Sequence, residues 1–193
     1  MTRRLQMTNQ EALDVIKNLF VETKISTPIN GELTIYENGR QATLREIHLK
    51  NTKDCFIVKY DECGFMNQST FKPDHPSLFK ACDAIVFCIN KGSPCILFCE
   101  LKSSKPNKSV VSPQLNGGLC FFECLSSILK NHHNCEIPFS EWKKYFFVFY
   151  SGASVQKRTI QKNQQIQSTA TRPAYISTKN AQAFYLQQLL EEY

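Results

Sequence analysis

Two acids and one lysine in this chain have the types and spacing that phosphate chemistry requires: Asp83, Glu100 and Lys102. Glu100-Leu101-Lys102 closes the apolar run CILFCELK, and Asp83 stands near the start of a second run, CDAIVFCI. Side chains two residues apart on a strand leave from the same face, so Glu100 and Lys102 share one. Charges set into such apolar sequence are costly to bury unless they are paired or bind a metal. Lys91-Gly92-Ser93-Pro94 joins the two runs into a hairpin. A turn centred on Gly92-Ser93 places Asp83 opposite Lys102, and a slip of two residues places it opposite Glu100. Either register keeps all three side chains on one face at one sheet end, whereas a slip of one reverses the face. Two carboxylates, helped by the Leu101 carbonyl, suit hard, oxygen-preferring Mg²⁺ or Mn²⁺. Such a cation acidifies a bound water and neutralises charge on a scissile phosphate. The lysine can position or deprotonate the attacking water, or stabilise the pentacovalent phosphate.

A bare E-x-K is a weak signal, commonly a surface ion pair on an edge strand. Its surroundings raise its value here: apolar flanks, Asp83 on the partner strand, and a helix bearing Gln114 after a basic loop. The elements that must hold these residues follow from pattern. Thr8 and Glu11 form a capping box, and Leu13, Ile16, Leu19 and Phe20 recur at helical spacing until Pro28 and Asn30-Gly31 stop the helix. Strands are predicted at 32–36, 42–49 and 55–60, with Glu37-Asn38-Gly39 as the hairpin turn between the first two. A proline-bearing loop covers 71–80. The two apolar runs read as central strands at 82–89 and 95–102, covered on both faces. Ser112 as N-cap and Pro113 at the first helical position predict a helix to about Asn131. Its Gly117-Gly118 pair is a weak point, each glycine costing about 1 kcal/mol relative to alanine. A buried strand is predicted at 144–150, an exposed Gln-rich loop or edge element at 155–172, and a closing helix at 179–192 with Ala183, Leu186, Leu189 and Leu190 on one face. Helix, strands, helix, strand, helix argues for an α/β class protein with a central mixed β-sheet flanked by helices.

The constellation resembles the PD-(D/E)XK nuclease superfamily, the restriction-endonuclease-like fold. The matching residues are Asp83, then Glu100-Leu101-Lys102, then Gln114-Leu115 on the next helix. The resemblance implies Asp83 and Glu100 as metal ligands with the Leu101 carbonyl, Lys102 as the catalytic lysine, and Gln114 as a polar helix residue beside the metal or phosphate. It implies Mg²⁺ or Mn²⁺ as cofactor and a restriction-endonuclease-like core over about residues 8–150. Members often add an acid on the first helix, for which Glu11, Asp14 and Glu22 are alternatives. The family's proline–aspartate pair departs here, because Cys82 precedes Asp83. Pro73-Asp74 is an alternative ligand upstream, and His75 resembles the histidine of some RecB-like and Cas4-like members.

Net charge supplies a direction for the substrate. Residues through Leu101 hold twelve basic and twelve acidic side chains, and those from Lys102 onward hold eleven and five, so the whole excess of +6 lies in the second part. Basic asymmetry favours a polyanion, nucleic acid before membrane surface. Lys105, Lys108, Lys157, Arg158 and Lys162 are the candidates to hold phosphates, which gives affinity without sequence information. DNA is expected rather than RNA. The longest apolar run, 145–150, is far short of the roughly 20 residues that span a bilayer.

Nine cysteines with no C-x-x-C pair and no secretory segment before them point to reduced thiols in a cytoplasmic protein. Cys95/Cys99 and Cys120/Cys124 repeat as C-x3-C and are expected to be core filling rather than zinc or iron–sulfur ligands. Cys120, after two glycines on a helix, admits a cysteine-hydrolase reading, though no histidine follows His133. One domain over 1–193 is expected, with 155–172 and 179–192 as additions to the nuclease core. The function expected is metal-dependent endonucleolytic cleavage of DNA. By analogy with other small nuclease cores, the chain would act as a homodimer or beside a partner subunit, as in bacterial restriction and phage-defence effectors. A catalytically silent nucleic-acid or protein-binding subunit on the same fold is the alternative.

Overall fold

The computed structural model describes residues 7–60, 80–133, 135, 137–152 and 168–193. Cys63, Asp74, His75, Lys157, Arg158 and Lys162, and most of the expected loops at 71–80 and 155–172, lie outside the described residues. The elements run α1 (Asn9–Lys17), β1 (Ile25–Ser26), β2 (Glu32–Tyr36), β3 (Glu46–Lys50), β4 (Cys55–Val58), β5 (Ala84–Asn90), β6 (Ser93–Lys102), α2 (Lys108–His132), β7 (Lys143–Ser151), β8 (Ala174–Thr178), β9 (Gln182–Tyr185) and α3 (Leu186–Glu192). The nine strands among them form two sheets. One has the order β1-β4-β5-β6-β7-β8, and the other β2-β3-β9.

The larger sheet is mixed for a reason visible in its connections. β5 and β6 are joined by a two-residue turn and pair antiparallel, as do β4 and β5, whereas β6 and β7 pair in parallel because α2 carries the chain back between them. β5 and β6 are buried on both faces. Ile85, Phe87, Ile96 and Phe98 meet α1 and α2, while Val86, Cys88, Leu97 and Cys99 meet the small sheet and α3. Helices therefore cover one face, and β2, β3 and α3 cover the other. Phe98 stacks on Phe146 with ring centroids 4.8 Å apart, and Phe122 of α2 packs edge-on against Phe98.

The capping box at Thr8 forms as the sequence predicts, with the Glu11 carboxylate accepting the Thr8 N–H at 2.7 Å. The helix stops at Lys17, earlier than the apolar pattern suggests. The expected 37–39 turn is a longer loop, because Tyr36 pairs with Glu46 and β3 begins four residues later than predicted. α2 begins at Lys108, so Pro113 sits in its second turn rather than at its start. The closing helix is only α3. Residues 182–185 instead form β9, drawn into strand by parallel pairing with β3, and Ala183 is exposed. β8, absent from the predicted elements, supplies a parallel partner for β7.

Among the described cysteines, 55, 82, 88, 95, 99 and 135 are buried free thiols. Cys55, Cys88 and Cys95 stand in register across three strands. Cys120 is exposed and Cys124 half-buried, so this pair does not fill the core as expected. No helix among the described residues is long and apolar enough to cross a membrane.

Candidate active site

The β5–β6 hairpin turns at Lys91-Gly92, whose φ angles of 50° and 77° are both in the left-handed region that a two-residue turn of this hand requires. Asn90 pairs with Ser93 and Ala84 with Cys99. This is the two-residue slip from a turn at Gly92-Ser93, and continuing the ladder by one step brings Asp83 opposite Glu100. Alternation puts Glu100 and Lys102 on the same face as Phe98, toward α2, whereas Asp83 precedes the first residue of β5 and lines a small cavity with Ile35, Ile57 and Ala84.

The backbone leading to Asp83 is seated by the glycine pair of α2. A Cβ on Gly117 would stand 1.8 Å from the Lys80 carbonyl oxygen. One on Gly118 would stand 2.8 Å from Cys82 Sγ and 2.9 Å from Phe98 Cδ1. The glycines thus allow the helix to press onto residues 80–82, and the Tyr60 hydroxyl donates to the Gly117 carbonyl at 3.1 Å. Their propensity cost is offset by a close approach no other residue permits.

Asp83 is 8% exposed and Glu100 is wholly buried. Asp83 Oδ2 accepts the Leu101 backbone N–H at 2.6 Å, which ties β5 to β6 beyond their last ladder pair. Glu100 Oε1 accepts a hydrogen bond from Lys102 Nζ, the Asp83 backbone N–H also acts on this carboxylate, and Glu100 Oε2 is buried with no well-formed hydrogen bond among the described residues. Burial, then repulsion from Glu100 and Glu37, pushes the Asp83 carboxyl well above the usual range against the Leu101 N–H and Lys102. Burial raises Glu100 to about 7, even though Lys102 opposes the shift. Burial works against the Lys102 charge, but Glu100, Asp83 and Glu37 together outweigh it and raise the ammonium above its ordinary value.

These residues fit a divalent cation of the Mg²⁺ type. Two carboxylates repel one another, and one buried carboxylate oxygen lacks a well-formed hydrogen bond among the described residues. A cation would satisfy that oxygen and remove the repulsion. Among the described residues no three His, Cys, Asp or Glu side chains converge as a ready-made cage. Mg²⁺ does not require one, since it is held by one or two carboxylates and keeps several waters.

The other predicted residues are more dispersed. Gln114 is half-buried in the second turn of α2, between buried Val111 and Leu115, and no hydrogen bond among the described residues joins it to the three. Lys105 is exposed on the loop after β6, and Lys108 is exposed as the first residue of α2. Glu11 is spent on the α1 cap. Asp14 and Glu22 are exposed, and neither appears among the charges acting on Asp83 or Glu100. The acid that does act on them is Glu37, in the loop after β2. Sequence reading passed over it as turn chemistry, and only its place directly after an alternating strand hinted at a fixed position. Cys120 has no hydrogen bond to a histidine among the described residues, and His132 lies about 18 Å further along the same helix at 1.5 Å per residue.

No family model, curated protein or solved structure matches the chain. Its function must therefore be argued from the site itself.

Proposed function

We propose that this chain is a Mg²⁺- or Mn²⁺-dependent nuclease with a restriction-endonuclease-like core, hydrolysing phosphodiester bonds in DNA. The observation that carries this reading is the buried Asp83–Glu100 pair, with Lys102 bonded to one Glu100 oxygen and no well-formed hydrogen bond to the other among the described residues. The element order from α1 through β7 and the resemblance at Asp83, Glu100, Lys102 and Gln114 support it.

When bound, the cation supplies an acidified water and a counter-charge for the phosphate. Asp83 and Glu100, with the Leu101 carbonyl, are the groups that would hold it. Glu100, Asp83 and Glu37 raise the affinity of Lys102 for its proton, so in the cation-free site it carries a positive charge at neutral pH. It therefore stabilises negative charge on the phosphate as the water oxygen bonds to phosphorus and the leaving oxygen departs. Lys105 and Lys108, exposed after β6, would receive flanking phosphates.

Incubating the purified chain with plasmid and linear DNA tests the reading. Cleavage is expected with Mg²⁺ or Mn²⁺, lost in EDTA and lost in Glu100→Gln. Wild-type cleavage by Glu100→Gln would overturn it. Salt-sensitive DNA binding with no cleavage under any divalent cation would favour the silent-subunit alternative.

A further inference from the structure

Three thiols form one row across the larger sheet. Cys55 on β4, Cys88 on β5 and Cys95 on β6 are direct partners on neighbouring strands, on the face covered by the small sheet and α3. Packing alone does not ask for thiols in line, since Val86 and Leu97 fill the same face one step along. Cys88 Sγ and Cys95 Sγ stand 3.1 Å apart, at hydrogen-bond distance. The row lies away from the cation site: Cys88 is four residues from Ala84, the first residue of β5, or about 13 Å along the strand.

The hairpin fixes how this pair is held. Asn90 and Ser93 close the two-residue turn as a hydrogen-bonded pair, so Ile89 with Pro94 is an open pair, where the missing proline N–H costs nothing. Cys88 with Cys95 is then hydrogen-bonded again. The Cα atoms of such a pair lie about 5.5 Å apart, within the roughly 4.4–6.8 Å that a disulfide spans. The Cys88 hydrogen bond first, then the Asn90 backbone and the Lys143 charge, draw the Cys95 thiol below its ordinary value against its burial. Hydrogen bonds with Cys55 and Cys95, and then burial, push Cys88 the other way. Cys95 is therefore the nucleophile of the pair. Both are buried, but Lys91, Gly92 and Ser93 at the turn are exposed, as is Lys143, the partner of Cys95 on β7. A hairpin end opens locally at less cost than the middle of a sheet.

We propose that Cys88 and Cys95 are a redox-active pair, which a hydroperoxide converts into a cross-strand disulfide. The Cys95 sulfur bonds to one peroxide oxygen as the O–O bond breaks, and the leaving oxygen takes a proton and departs as water or an alcohol. The Cys88 sulfur then bonds to the sulfenic sulfur as its S–O bond breaks, and the hydroxide leaves with the Cys88 proton as water. The two thiols lose two electrons and the peroxide gains them. A small thiol reverses the step by exchange. None of this depends on the nuclease reading.

Hydrogen peroxide added to the folded, fully reduced chain tests the pair. Remaining thiols are alkylated in denaturant, and trypsin then cuts after Lys91, which separates Cys88 from Cys95. A cross-linked pair of peptides is expected from monomeric chain, its bond placed by fragmentation at Cys88 and Cys95 and removed by dithiothreitol. Cys88→Ser keeps a hydrogen-bond donor beside Cys95 but cannot close the disulfide, so its oxidation should stop at a Cys95 sulfenic acid that dimedone traps. Oxidation of the exposed Cys120 while Cys88 and Cys95 both remain alkylatable would overturn the inference. A bond from Cys88 to Cys55 alone would overturn it too. The wild-type map decides the matter by itself should Cys88→Ser not fold.

Discussion

Glu100 with Lys102 and Glu32 with Lys50 are the same pair of side chains in two sheets, and they behave as opposites. Glu32 and Lys50 face each other across β2 and β3, 4.0 Å apart, with 37% and 44% of their side chains exposed. Water screens both charges, and such a pair contributes at most about 1 kcal/mol. Glu100 and Lys102 stand two apart on β6, with the glutamate wholly buried and the lysine 25% exposed. Desolvation there exceeds what one lysine returns, and the Glu100 carboxyl rises to about 7. The small sheet alternates, β2 burying Leu33 and Ile35 while turning Glu32 and Thr34 outward. The larger sheet has no outward face at β6 to which a charge could turn. An ion pair that water screens in one sheet is, in the other, a desolvated carboxylate that a single lysine does not fully compensate.

The sharpest break in this comparison would be kinetic. Glu100→Gln and Lys102→Met should each lower Mg²⁺-dependent DNA cleavage by at least about 10²-fold, the scale of losing a preorganised charge in a reaction site. Glu32→Gln and Lys50→Met should leave the rate unchanged, and equal losses in both sheets would erase the distinction. Next in size is the dependence of folding on pH in EDTA. Glu100 releases its proton near 4.5 when unfolded and about 7 when folded, so the folded state binds more protons between these values. Stability is then complete below about 4.5 and falls as pH rises through 7, by up to about 3 kcal/mol from this group. Denaturant titrations should show that slope, and Glu100→Gln should reduce it, leaving the part that the raised Asp83 carboxyl contributes, while Glu32→Gln does not.

Packing offers a third test. Gly117→Ala should cost about 1–3 kcal/mol in chemical denaturation, because its methyl group meets the Lys80 backbone rather than a yielding side chain. A stable Gly117→Ala variant would mean that α2 does not seat the approach to Asp83. Smallest of all, Lys50→Ala should change stability by less than about 1 kcal/mol, and high salt should remove most of that difference.

Much of the site-bearing sheet was legible because its strands bury both faces. CDAIVFCI and CILFCELK can hardly be read otherwise, and the period of two then places Glu100 and Lys102 together. The register was open between two values. Gly92 decided it as the second residue of a Lys-Gly turn, a signal weaker than Asn-Gly but of the same kind. The start of α2 misled because proline is common at a first helical position, and here Lys108–Ser112 precede it in the helix. Ala183 looked helical beside Leu186, Leu189 and Leu190, but pairing with β3 overrode that spacing. β8 was missed because a five-residue parallel strand needs a neighbour to reveal it. Glu37 was hidden for a deeper reason: only the packing of one sheet on another brings residue 37 to residues 83 and 100.

The parallel pairing of β3 with β9 joins segments more than 130 residues apart. During synthesis at about 5–20 residues per second, the β2–β3 hairpin waits roughly 7–30 s for its third strand. The acids of β5 and β6 are made long before that wait ends. The loop carrying Glu37 hangs from this same hairpin, and Asn180, just before β9, accepts the Arg45 and Glu46 N–H groups at the end of that loop. A nascent chain thus acquires its buried acids early and settles the loop whose charge bears on them late, so the fold itself schedules when these acids reach their final surroundings.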